Sequence, residues 1–177
     1  MKRFIKKITV AVCLAGLMLS ATACGKSDPV KDDLYTYLTD MSDAQALQKE
    51  AIDEYNAKVS GEDVDSQQLL TALNDTIIPK YQEYLDALDA VAPETEEVQA
   101  VKAVCVDGAS KQMEALQKVA EAITDCDTDM LNDADDLISE SETIFADYES
   151  QVQALAGEHE IALTGSAAAD DSTTEAE

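Results

Sequence analysis

Apolar residues recur at steps of three and four along most of the chain, in four separate runs. The first holds Leu34, Leu38, Met41, Ala44, Leu47, Ala51, Tyr55 and Val59. The second holds Leu70, Leu73, Ile77, Tyr81, Tyr84, Leu88 and Val91. The third holds Val98, Val101, Cys105, Gly108, Met113, Leu116, Val119 and Ile123, with one step of five after Gly108. The fourth is the most regular: Leu131, Ala134, Ile138, Ser141, Phe145, Tyr148, Val152, Leu155 and His159. Such steps stack side chains on one face of a 3.6-residue helix. Breakers and caps fall between the runs. Gly61 suits a helix end, Asp65 or Ser66 a start, and Ala92-Pro93 another end. Glu96 and Glu97 after Thr95, and Asp127-Thr128, favour the two later starts. Nothing alternates with period two for long, and no Asn-Gly hairpin turn occurs. The pattern predicts an all-α chain. Four helices of similar length joined by very short turns should form an elongated, antiparallel, up-down-up-down four-helix bundle, ~45 Å long at 1.5 Å per residue.

Pro79 falls inside the second helix. It cannot donate to the Asp75 carbonyl and its ring presses on that turn, which predicts a kink. Folding the sequence about Pro93 brings Asp107 and Gly108 level with Pro79, with Phe145 close by, so Gly108 is expected to face the bend. The same construction places Tyr81, Cys105 and Tyr148 in one core layer.

Ahead of the helices lies a different pattern. Lys2, Arg3, Lys6 and Lys7 precede an apolar run from Ile8 to Leu19, too short for the ~20 residues of a membrane span. The small residues Ser20-Ala21-Thr22-Ala23 then meet Cys24. The three-part layout reads as an export signal, and Ala21-x-Ala23 by itself suits ordinary signal peptidase and plain secretion. The cysteine directly after small residues resembles the lipobox of bacterial lipoproteins, with Ala21 where leucine is usual. The resemblance implies diacylglycerol on the Cys24 thiol, cleavage before it, acyl chains such as palmitate, and a protein anchored to the cell membrane on its extracytoplasmic face. The expected organisation is a signal peptide over 1–23, a lipidated tether over 24–29, the bundle over 30–163, and an acidic disordered tail over 164–177.

Charge then narrows the partners. After residue 23 eight lysines remain against all 37 acidic residues, a formal −29, with no arginine and no tryptophan. Such a body repels nucleic acid and anionic lipid headgroups, and it lacks the guanidinium fork that clamps phosphate.

Candidate chemistry is sparse. Cys105 reads as a buried small hydrophobe. Cys126 falls in a turn, ~31 Å along the helix from Cys105 and beyond disulfide reach. Asp125, Asp127, Asp129, Asp133 and Asp136 mimic the ligand spacing of a calcium loop. Met130 stands at the sharp-turn glycine and an aspartate at the bidentate glutamate. N-capping explains the same acids, yet Asp63 and Asp65 fall in the other turn at this end. The five residues Asp63, Asp65, Asp125, Asp127 and Asp129 form an acidic tip with weak cation binding as its expected chemistry. A di-iron site wants paired Glu-x-x-His motifs, and His159 is the only histidine. A haem would need Met41 and His159, which the fold-back separates by ~12 Å. No cofactor is expected, and no Ser-His-Asp set, phosphate loop or zinc spacing occurs. The expectation is a non-enzymatic, lipid-anchored interaction or structural module whose partner is an extracytoplasmic protein or small ligand. The alternative is a ligand or cation sensor using the acidic tip or a pocket at the Pro79 kink.

Overall fold

The structure, a computed structural model, describes residues 5–9, 28–60 and 64–163. It is all-helical, with no strand among the described residues. Helix α1 spans Pro29–Val59, α3 Glu96–Asp125 and α4 Thr128–Glu158. Between them α2 runs over 66–90, as Ser66–Ala72, a π turn at Leu73–Ile77, and Ile78–Ala90. These are the four helices that the apolar spacing predicts, with α1 starting one residue inside the stretch assigned to the tether. The expected tail over 164–177 lies outside the described residues.

Three of the four starts are capped by an aspartate. Asp28 accepts from the Lys31 N–H with Pro29 in the first turn, Asp65 from those of Gln67 and Gln68, and Asp127 from those of Asp129 and Met130. That satisfies N–H groups which have no partner inside the helix. Two ends close alike. The Asp127 N–H bonds Ala122 O at 3.0 Å and the Cys126 N–H bonds Ile123 O. At the end of α4 the Ile161 N–H bonds Ala156 O at 2.8 Å and the Glu160 N–H bonds Gly157 O. Both are Schellman closures, whose middle residue is left-handed and most often glycine. Here those residues are Cys126 (φ 55°) and Glu160 (φ 54°).

Where the sequence predicts a kink at Pro79, α2 carries a π turn at Leu73–Ile77 just ahead of that proline. The large buried residues are Leu69, Leu73, Ile77, Tyr81, Tyr84 and Leu88. Three successive steps of four would drift about 120° around an α-helix at 100° per residue. A π turn, bonding five residues back, inserts one residue and returns the row to the core. The Ile78 N–H bonds Leu73 O in that manner. Pro79, which cannot donate, follows immediately.

The helices meet through named pairs. Lys80 of α2 bonds Glu50 of α1 at 2.6 Å, and the Lys102 ammonium of α3 bonds the Asp89 carbonyl at 3.0 Å. Lys111 of α3 meets Glu140 of α4 at 3.2 Å. Asp33 of α1 accepts the N–H groups of Glu94 and Thr95 and the Thr95 hydroxyl, which pins the α2–α3 turn. The His159 ring bonds Asp28 at 2.7 Å and joins the end of α4 to the start of α1.

Five of the six tyrosines are buried: Tyr37, Tyr55, Tyr81, Tyr84 and Tyr148. Their hydroxyls form interior links, Tyr37 to Tyr148 at 3.2 Å and Tyr84 to the Cys105 thiol at 3.8 Å. Cys105 thus neighbours Tyr84, while Tyr81 donates to Gln112 Oε1 at 2.8 Å. Gln48 Nε2 donates to the same oxygen at 3.0 Å, leaving Gln112 Nε2 buried without a partner. Gly108 faces α4 and not the α2 bend. A Cβ there would stand 3.2 Å from Ile144 Cγ2 and 3.3 Å from the Phe145 ring.

Candidate functional site

The expected site residues are dispersed among structural duties. Asp65 and Asp127 spend their carboxylates on caps, Asp125 closes α3, and Asp129 opens α4. Asp63 and Cys24 lie outside the described residues. Among the described residues no group of three or more His, Cys, Asp or Glu side chains is placed to hold a metal ion. Met41 is fully buried, whereas His159 serves Asp28. That hydrogen bond, with the Lys31 N–H, holds the Asp28 carboxyl below the usual range.

Cys105 and Cys126 are free, the first buried in α3 and the second exposed at its end. Burial pushes the Cys105 thiol up to about 11, so it stays protonated and unreactive near neutrality. Beside the π turn a shallow, open depression of about 390 Å³ is lined by Glu54, Lys58, Gln67, Thr71, Asp75 and Thr76. Pro79 does not line it.

A second place was not legible in the sequence. The backbones of α1 and α4 come close to each other almost nowhere, and residues 5–9 lie against both helices. Ile8 is 2% exposed. Its N–H donates to Asn56 Oδ1 at 3.0 Å, and its carbonyl accepts from Asn56 Nδ2 at 2.7 Å. The Tyr55 hydroxyl donates to the Lys6 carbonyl at 3.1 Å. On the α4 side the Lys6 ammonium meets Glu142 Oε2 at 3.0 Å and Ser139 Oγ at 2.9 Å. The Thr9 N–H donates to Glu142 Oε1 at 3.1 Å. Burial raises the Glu142 carboxyl, but the bonds from Lys6 and Thr9 outweigh it and hold the group below its usual range. The wall is therefore anionic on α4 and amide-bearing on α1.

The model for EMYY-motif containing lipoproteins matches residues 5–162. The chain belongs to that family. The string Glu-Met-Tyr-Tyr itself does not occur in it. As a lipoprotein it is associated with a membrane, and among the described residues no helix is long and apolar enough to cross one. No curated protein and no solved structure matches the chain.

Proposed function

We propose that this lipoprotein is exported, cut before Cys24, lipidated there, and held on the extracytoplasmic face of the cell membrane as a non-enzymatic interaction module. The family match carries the address, and the Ser20–Cys24 stretch supplies the acceptor thiol. The four helices are read as an antiparallel up-down-up-down bundle. Rising numbers on one helix meet falling numbers on the next: Asp33 with Thr95 of the turn that ends α2 and Glu50 with Lys80, Tyr81 with Gln112 and Tyr84 with Cys105, Gly108 with Phe145 and Lys111 with Glu140.

Asp28 caps α1 only four residues after Cys24, so the anchored end of the bundle is the end where His159 grips Asp28. The turns that carry Asp65 and Asp125–Asp129 are then the far end. Replacing Cys24 by Ser should move the protein from the membrane fraction to the soluble extracytoplasmic fraction. Retention in the membrane would refute the anchor.

A second reading, a small-ligand sensor, draws on the depression beside the π turn, since such turns often mark functional sites. Its test is a thermal-shift screen with metabolites and divalent cations. Stabilisation lost on Thr71→Leu would favour the depression. Stabilisation lost on neutralising Asp65, Asp127 and Asp129 would favour the acidic tip, and no specific shift would leave neither.

A further inference from the structure

Residues 5–9 are held by contacts of two kinds, and the kinds carry different information. Asn56 offers its amide to the main chain of Ile8, donor to carbonyl and acceptor to N–H, as a neighbouring strand would. The Tyr55 hydroxyl adds a bond to the Lys6 carbonyl. None of these three bonds depends on a side chain of the segment, so they hold a main chain in place without reading sequence. Sequence is read at two other points. Ile8 fills an apolar seat within the core, and the Lys6 ammonium sits between Glu142 and Ser139.

The occupying segment belongs to the stretch ahead of Cys24. Removal of that stretch, which rests on the export reading above, leaves the groove vacant. Tyr55, buried to 0% exposure with the segment in place, then turns a hydroxyl without its acceptor toward an open seam. Asn56 loses both its bonds, and Glu142 loses its cation. The vacated groove then presents an apolar seat and half-buried polar groups to water, and an occupant that restores the same bonds covers that seat without leaving those groups unpaired.

We propose that in the mature protein this groove docks a non-helical segment of a partner protein, bearing a lysine and, two residues later, an aliphatic side chain. Charge agrees, because a body of formal −29 draws a cationic segment and the groove supplies the local carboxylates. Position agrees as well. Asn56 lies ~40 Å along α1 from Pro29 at 1.5 Å per residue, away from the anchored end.

The test uses the mature protein purified from membranes in detergent, with its mass measured first. A mass beginning at lipidated Cys24 upholds the export reading, whereas a chain still carrying residues 5–9 overturns that reading and the docking proposal with it. A fluorescent peptide with the sequence of residues 4–10 is then titrated by anisotropy. Saturable binding is expected, weakened about tenfold or more by Asn56→Ala, by Glu142→Gln, and by Lys6→Glu or Ile8→Asp in the peptide. The uncleaved full chain, its groove filled in cis, should bind the peptide far less. Circular dichroism confirms that each variant is folded before titration. With the mass correct, no saturable binding, or equal binding of a scrambled peptide, would overturn the proposal alone. Binding untouched by Asn56→Ala and Glu142→Gln would show attraction to the acidic surface only, and would overturn it too.

Discussion

Gly108 offers the sharpest quantitative test of the packing. It lies in mid-helix, where glycine costs roughly 0.5–1 kcal/mol relative to alanine. A Cβ would meet Ile144 Cγ2 at 3.2 Å and Phe145 Cδ1 and Cε1 at 3.3 Å. Ile144 is half-buried and can give by a few tenths of an ångström, but Phe145 is at 0% exposure and cannot move freely. Gly108→Ala should therefore come out near neutral, the propensity gain offset by crowding. Gly108→Leu adds branched carbons that Phe145 already excludes, and should cost about 1–3 kcal/mol. Phe145→Ala alone should cost about 3–5 kcal/mol through its cavity. In the double variant the introduced leucine side chain grows into that cavity, so the total should fall short of the sum by about 1–2 kcal/mol. Urea unfolding followed by far-UV circular dichroism reads every variant, provided the m-value holds constant. A neutral Gly108→Leu, or an additive cycle, would mean that α3 and α4 do not pack here as described.

Further predictions address other elements. Cys126→Gly and Glu160→Gly should each stabilise by about 0.5–1 kcal/mol, since left-handed backbone is costly only for residues with a Cβ; thermal melts would show it. At Asp33 burial opposes ionisation, but the bonds from Thr95 and Glu94 outweigh it and lower the carboxyl. Its contribution should be fully present above the unfolded value near pH 4 and should fade as pH drops through the lower folded value. The stability gap to Asp33→Ala, about 1 kcal/mol near neutrality, should therefore shrink in acid, as urea titrations at several pH values would show. Gln112→Leu alone should destabilise by orphaning Gln48 and Tyr81. The set Gln48→Leu, Gln112→Leu and Tyr81→Phe should be nearly neutral or stabilising in the same unfolding assay, because it removes the whole buried network.

Much of the helical architecture was legible because cap, breaker and apolar step agreed at each boundary. Asp65 and Asp127 stood where their hydrogen bonds are found. What the spacing missed has a common cause, that polar atoms can belong to the core. Leu47 was placed on the α1 seam, yet Gln48 is the residue at 1% exposure, since Gln112 satisfies its amide. The second run opens on Leu70, yet Leu69 is the residue at 0% exposure, because the π turn before Pro79 resets the row. The groove for residues 5–9 could not be foreseen. Asn56 and Glu142 each follow a seam residue, Tyr55 and Ser141, and their common role shows only where residues 5–9 bond to both. His159 closes the fourth apolar run, and its partner Asp28, 131 residues away, is not visible in that spacing.

The central claim, a membrane lipoprotein anchored through one thiol, is tested most directly by metabolic labelling. Cells expressing the wild-type chain or Cys24→Ser are grown with labelled palmitate, and the protein is captured and counted. The account predicts label in the wild type and none in Cys24→Ser, at equal protein. Label retained by Cys24→Ser, or absent from both, would contradict it.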